Sequence, residues 1–259
     1  MDSTLSIVAD LICEAKQILF ITGAGVSADS GLPTYRGIGG LYNDNYTQEG
    51  IPIEEALSGP MFMRRPEITW KYLWQIGSAC QHASFNRAHE VIAAIEQKRP
   101  NSWVLTQNID GFHRSAGSKN LIEIHGDAFD LYCMECSSSY DAHQLFGKDA
   151  DSISLPPRCN QCNGVIRPKV VLFGEMLPTK EVGRLYQLAG LDLDLVITIG
   201  TSAVFPYIVE PVIQASRSGI PTVEVNPSQT EISSYVDHRI ETGAAEAFGQ
   251  LWEMIQDKI

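Results

Sequence analysis

Apolar positions along this chain keep two rhythms. Leu5, Val8, Ile12 and Ala15 recur at helical spacing behind the capping candidates Ser3 and Thr4, and the unbroken run Ile18-Leu19-Phe20-Ile21 follows. A period of three to four residues lines one face of a helix, whereas a short continuous apolar run is how a strand covered on both faces reads. Similar runs stand at Trp103-Val104-Leu105, Val170-Val171-Leu172-Phe173, Leu195-Val196-Ile197-Thr198-Ile199 and Thr222-Val223-Glu224-Val225, each near a helical pattern. One such pattern starts near Asn86 with Val91, Ile92 and Ile95 on its face, and another carries Phe248, Leu251, Trp252, Ile255 and Ile259. Buried strands alternating with helices predict an α/β fold, a Rossmann-like parallel sheet with helices on both faces.

Two stretches break the alternation. Residues 37–85 read as loop and helix without strands, and residues 131–167 hold four of the six cysteines. Both are predicted insertions that make a smaller second domain. Residues 1–39, 86–130 and 168–259 then form the Rossmann-like domain, residues 40–85 a helical insertion and residues 131–167 a metal module, with a ligand cleft between the two parts.

The cysteines of that module stand as Cys133-x-x-Cys136 and Cys159-x-x-Cys162, while Cys13 and Cys80 stand alone and read as packing residues. Four thiolates on two turns suit tetrahedral zinc, and filling every position with sulfur leaves no place for a reactive water. The expectation is one structural zinc. A redox motif would show a single pair at a helix start.

Composition changes little. A chain of 259 residues that is 44% hydrophobic can furnish one large domain with an insertion, and its net charge of −12 speaks against direct nucleic-acid binding. No apolar run approaches the ~18 residues of a membrane helix. Met1 to Asp10 lack the basic start and apolar core of a signal peptide. No membrane association and a cytoplasmic location are expected.

The candidate chemistry begins after the first predicted strand, at Gly23-Ala24-Gly25-Val26-Ser27-Ala28. Glycine there removes the Cβ that keeps backbone amides from phosphate oxygens, although a G-x-G turn also serves as a plain tight turn. The continuation, Asp29-Ser30-Gly31-Leu32-Pro33-Thr34-Tyr35-Arg36-Gly37, makes residues 23–37 resemble the NAD-binding loop of sirtuins. Thr106-Gln107-Asn108-Ile109-Asp110, Glu123-Ile124-His125-Gly126, Phe173-Gly174-Glu175, Gly200-Thr201-Ser202 and Val225-Asn226-Pro227 follow in that family's order. The resemblance spans residues 5 to about 256, and it implies an NAD-dependent protein lysine deacylase with transferase and hydrolase chemistry in one cycle.

From its surroundings alone, His125 fits a hydrogen-bonded structural residue as well as a catalyst, since it follows apolar residues and precedes Gly126. The resemblance implies that it is the general base. NAD first loses nicotinamide and the acyl oxygen of a modified lysine bonds to the ribose. His125 then takes a proton from a ribose hydroxyl, and water completes the path to free lysine and O-acyl-ADP-ribose.

The resemblance further implies that Asn108, also catalytic, and Asp110 hold the ribose and the nicotinamide carboxamide, with Gln107 and Ile109 beside them. Tyr35, where sirtuins commonly have phenylalanine, shields the reactive carbon, and Arg36 orients it or reaches a phosphate. Gly23, Ala24, Gly25, Ser27 and Thr34, with Gly200, Thr201, Ser202, Asn226 and Ala245, line the rest of the dinucleotide. The implied partners are acyl-lysine proteins, bound as an extended peptide in the interdomain cleft between Phe173-Gly174-Glu175 and Val204-Phe205-Pro206, with Val171 and Phe173 flanking the acyl-lysine tunnel.

Pro33-Thr34-Tyr35-Arg36 and the following Gly37-Ile38-Gly39-Gly40 resemble most the branch that includes desuccinylases and demalonylases, which read acidic acyl groups with a Tyr-x-x-Arg pair. Here Tyr72-Leu73-Trp74-Gln75 puts glutamine where the arginine is expected, and Lys71 is an imperfect substitute. Acetyl or another neutral acyl group is therefore expected over succinyl. Two other functions stay open at this point: an NAD hydrolase or mono-ADP-ribosyltransferase on the same fold, and a non-catalytic zinc-ribbon binding module.

Overall fold

In the computed structural model, which describes residues 2–34, 46–147, 154–188, 190 and 192–259, β1 (Ile18–Thr22) is the strand from which the main sheet grows both ways. The other strands are β2 (Trp103–Thr106), β3 (Leu121–Glu123), β4 (Gly126–Cys133), β5 (Ser139–Asp141), β6 (Ile166–Val170), β7 (Leu195–Ile199), β8 (Thr222–Val225) and β9 (His238–Ile240). Six of them form one sheet in the order β3-β2-β1-β7-β8-β9, and every pairing in it is parallel.

The helices are α1 (Asp2–Glu14), α2 (Ile53–Ala56), α3 (Gly59–Arg64), α4 (Pro66–His82), α5 (Arg87–Lys98), α6 (Phe112–Ala116), α7 (Ala142–Phe146), α8 (Thr179–Leu188), α9 (Pro206–Arg217) and α10 (Ala244–Ile255). Every residue of β1 is buried, and alternate side chains enter opposite cores. Ile18 and Phe20 pack with α1, α5 and α10, whereas Leu19 and Ile21 pack with α8 and α9. Phe20 meets Phe248 of α10 with ring centroids 6.3 Å apart. Each such buried side chain contributes about 1.5–3 kcal/mol of burial free energy.

Four of the apolar runs take their expected places as β1, β2, β7 and β8. The run Val170 to Phe173 does not join the parallel sheet. Its first residue ends β6, which lies antiparallel to β4 in a separate sheet of order β5-β4-β6, and Val171 to Phe173 continue as irregular chain. Val170 and Leu172 are buried in the core of that smaller unit, so their apolar character reflects a different core. The same core holds Trp70, Tyr72 and Leu73 of α4, and the Trp70 indole N–H donates to the Ile166 carbonyl at 2.8 Å. The small sheet starts at Gly126 and ends at Val170, wider than the segment 131–167 that holds the cysteines.

α5 starts at the cap Asn86, whose side-chain oxygen accepts the Ala88 N–H at 2.9 Å. The Asn86 amide nitrogen reaches back to the Val26 carbonyl and the Ser30 hydroxyl, which ties the start of α5 to the loop after β1. Among the described residues, no helix is long and apolar enough to cross a membrane.

Candidate functional site

The residues singled out in the sequence gather at the carboxyl ends of the parallel strands. Gly23 follows β1, Gln107 follows β2, His125 lies just past β3, Gly200 follows β7 and Asn226 follows β8. The strand order reverses between β1 and β7, which is where open α/β sheets leave a crevice for a ligand. A cleft of about 640 Å³ opens there.

The glycines at this crossing do more than spare room for a phosphate. Gly23 and Gly25 donate their amides to the carbonyls of Ile199 and Gly200, at 3.1 and 2.8 Å. A Cβ on Gly25 would lie 2.6 Å from the Gly200 Cα, and Gly200 has φ +58. The β1 and β7 loops are thus pressed backbone to backbone, and any side chain would push them apart.

Below the loops runs a buried polar network. Ser27 donates to the Asp110 carboxylate at 2.7 Å, and the Asn108 amide donates to Ser27 and to the Gly23 carbonyl at 3.2 and 3.1 Å. Burial raises the Asp110 carboxyl above its ordinary range, against the opposing bonds from the Phe112 N–H and Ser27. Gln107 donates to the Thr201 hydroxyl at 2.8 Å, and Asn226 to the Thr201 carbonyl at 3.2 Å. Every member sits on a strand end or an adjoining turn, so the network is held by the sheet.

His125 is fixed on both ring nitrogens. Its Nδ1 lies 2.9 Å from the Gln107 carbonyl, which can only accept, so Nδ1 carries the proton. Nε2 lies 2.7 Å from the Tyr207 hydroxyl. Burial lowers the imidazole pKa, an effect only partly offset by the Gln107 carbonyl. A neutral imidazole on a cleft wall can take a proton from a hydroxyl. The sequence pattern does not single out Tyr207, which stands at the helix start after Pro206, just beyond the Gly-Thr-Ser that follows β7.

Opposite the loops, Val171, Phe173, Gly174 and Glu175 line the cleft. The Val171 N–H donates to the His125 carbonyl at 2.9 Å. Phe173 is clamped by the helical segment, donating to the Leu57 carbonyl and accepting from the Gly59 N–H, each at 3.0 Å. Glu175 turns inward and accepts the Arg167 guanidinium at 2.7 and 3.0 Å, as well as the Leu172 N–H. Its carboxyl is held below the usual range by Arg167, against the cost of burial.

Ala24, Thr34, Ile109 and Ser202 also line the cleft. A second pocket of about 260 Å³ shares Ala24, Asn108 and Ile109 with it and continues past Ser27 and Asp110 to Tyr72, Gln75 and Cys80. Two expected residues are not on either wall. Val204 is 42% exposed, and the Ala245 N–H is already donated to the Asp29 carboxylate at 3.0 Å. Tyr35 and Arg36 lie outside the described residues.

The four cysteines come together in the small unit. Their sulfurs lie within 4.8 Å of one another, with Cys133 and Cys162 at 3.4 Å and Cys136 and Cys159 at 3.6 Å. Tetrahedral zinc with bonds of about 2.3 Å sets sulfurs roughly 3.8 Å apart, so the donor set fits zinc. The two halves repeat one turn: Ser137 and Asn163 donate their N–H groups to Cys133 and Cys159, both with φ near the left-handed region, 59 and 62.

A family model described as the Sir2 family matches residues 23–206. The chain is 52% identical over 248 residues to the NAD-dependent protein deacylase 2 of Pseudomonas aeruginosa, covering 94% of this chain and 93% of that one. It superposes with a TM-score of 0.86 on a Sir2 variant with a deacetylated p53 peptide and 3'-O-acetyl ADP ribose, at 30% identity and with 99% of both chains covered. A Sir2 complex with p53 peptide and NAD+ gives a TM-score of 0.81 at 31% identity, covering 96% of this chain and 97% of the other.

Proposed function

Because the chain belongs to the Sir2 family and is an NAD-dependent protein lysine deacylase, we propose that His125 is its general base and that the cleft beside it receives NAD and an acyl-lysine segment. The observation that carries this reading is the fixed tautomer of His125. With its proton committed to the Gln107 carbonyl, the neutral ring keeps Nε2 as its basic nitrogen, 2.7 Å from the Tyr207 hydroxyl on the cleft wall.

NAD enters as a co-substrate whose loss of nicotinamide leaves an electrophilic ribose carbon for the acyl oxygen. The chain's own groups bind and orient. Asn108 and Asp110, cross-braced through Ser27, hold the ribose and the carboxamide, while Thr201 and Asn226 line the path of the remaining dinucleotide. Cys133, Cys136, Cys159 and Cys162 would hold a zinc ion through four thiolates, which leaves no position for a reactive water, so the metal would serve to hold the small sheet. Four paired thiolates suit a reducing cytoplasm.

The substrate protein lies as an extended segment along the cleft. Phe173 gives its N–H and carbonyl to the helical segment and the Glu175 N–H is donated to the Leu172 carbonyl at 3.0 Å, so the main chain on that side is offered by Gly174 and the Glu175 carbonyl. The acyl group is neutral. Gln75 faces a largely apolar pocket with Tyr72, whose hydroxyl donates to Glu49 at 2.5 Å. Lys71 is spent on Gln48 and Glu49, each at 2.7 Å, and bonds from Lys71 and Tyr72 hold the Glu49 carboxyl at about 2. Among the described residues that line this pocket no Lys or Arg stands to meet a succinyl carboxylate.

The test is an NAD-dependent assay on an acetyl-lysine peptide with the unaltered protein and with His125→Ala. The expected result is peptide-dependent nicotinamide release, with turnover falling on the order of 10²–10⁴-fold in the variant while melting and NAD affinity hold. Nicotinamide release that needs no peptide would point to an NAD hydrolase instead. Unchanged turnover in the variant would remove His125 from the mechanism.

A further inference from the structure

The hydrogen bond on the far side of His125 has a consequence for the proton's route. The Gln107 carbonyl fixes the imidazole proton on Nδ1, so Nε2 holds a bare lone pair and the Tyr207 hydroxyl must donate to it, at 2.7 Å. The acceptor that the reaction needs is therefore already filled by a phenol that itself lines the cleft. That phenol is not loosely placed. Pro206 starts α9, and the Tyr207 ring stacks on Phe205 at 5.4 Å and 11°, with both rings edge-on to the imidazole.

We propose that Tyr207 carries the proton from the reacting hydroxyl to His125, so that a tyrosine and a histidine together form the base of this site. The proposal rests on the deacylase reading above. A hydroxyl reaching Nε2 directly would have to evict a packed ring, whereas one reaching the lone pairs of the phenol oxygen needs no rearrangement. In the step, the ribose O–H proton passes to Tyr207 Oη as the proton of Tyr207 passes to His125 Nε2. The freed oxygen pair of the ribose attacks the acyl-derived carbon. Tyr207 is neutral before and after, and His125 ends as an imidazolium. Burial pushes the Tyr207 hydroxyl up to about 12, so it acts as a conduit in a concerted transfer and not as a standing phenolate.

Tyr207→Phe keeps the stacked ring and removes only the oxygen. Turnover on an acetyl-lysine peptide is expected to fall on the order of 10²-fold. Exchange of labelled nicotinamide into NAD, which precedes the base-dependent step, should be unchanged, as should melting. Nitrogen-15 imidazole spectra of the free protein should keep the Nδ1–H tautomer while the Nε2 resonance moves to that of an unbonded acceptor. In the unaltered protein, single-turnover rates in H₂O and D₂O mixtures should bow below a straight line, because two protons move together. A variant at or above the original turnover, or a straight line from the unaltered protein, would overturn the relay. If the unaltered protein released no nicotinamide with NAD and acyl peptide, the deacylase reading itself would fail, and the spectra would still report the Tyr207 bond.

Discussion

The amide of Gly25 donates to the carbonyl of Gly200 at 2.8 Å, which pins the β1 loop to the β7 loop where the strand order turns back. Gly200→Ala meets two costs there. A left-handed backbone penalises any Cβ by about 1–2 kcal/mol. The new methyl would also lie 2.4 Å from the Gly25 carbonyl carbon, an overpacking worth about 1–3 kcal/mol. Urea unfolding should register their sum as lost stability, and calorimetric titration should show weakened NAD binding; values matching the unaltered protein would contradict the loop contact.

The pH dependence of turnover follows from the environment of His125. The base must be neutral to act, and burial moves its pKa below the ordinary 6.5. Protonation therefore competes only on the acid side, so kcat/KM is expected to stay level from neutral pH upward and to fall below pH 6.5. An acid limb centred above 7 would show that another group controls the rate.

Part of this arrangement was legible in the order of residues, and the boundary has a physical cause. The strands β1, β2, β7 and β8 and the cap at Asn86 are local features, as are the cysteine spacings. The fate of Val170 to Phe173 was not local. It depends on Gly126, where any Cβ would lie 1.8 Å from the Lys169 carbonyl oxygen, so that β4 and β6 can close on each other. The strands β3 and β9 are too short to show a period. Tyr207 meets His125 across 82 residues, and nothing near Tyr207 marks that encounter. Gly23 and Gly25 read in the sequence as room for a phosphate, and the structure adds their close approach to the β7 loop.

Acid should weaken the fold through a buried histidine. Burial lowers His89 from 6.5 to about 4 in the folded chain, and neighbouring His113 is depressed well below 6.5 by burial and by His89. Above 6.5 both states hold the ring neutral. As pH falls from 6.5 towards 4, the unfolded chain takes up protons that the native one refuses, so stability falls, for His89 by on the order of 3 kcal/mol. Urea midpoints across this range should decline, and the decline should be shallower in His89→Asn.

Acyl selectivity should turn on Gln75. Gln75→Arg places a fork where an acidic tail would end, and a charge-assisted bond is worth about 1.5–3 kcal/mol, roughly ten- to hundredfold in kcat/KM. The ratio of succinyl-lysine to acetyl-lysine peptide turnover should rise by that amount in the variant. A preference for succinyl in the unaltered protein would refute the neutral-acyl reading.

Removing one sulfur should cost more than the roughly 10–100-fold in affinity that outer-shell changes cost a metal site. Cys133→Ser is therefore expected to give substoichiometric zinc by elemental analysis and a lowered melting temperature, because metal binding is folding free energy here. Full zinc content with normal melting would argue that the sulfurs do not hold the ion.

β4 begins one residue after the base and ends on a metal ligand. Along a strand rising about 3.3 Å per residue, Cys133 stands at most roughly 26 Å from His125 yet on the same ribbon. Blocking this protein does not then demand a molecule shaped like a nucleotide. An electrophile that alkylates the sulfurs, or a thiophilic metal that occupies them, is expected to slacken the ribbon at its far end and disturb the histidine at its near one without taking the place of NAD.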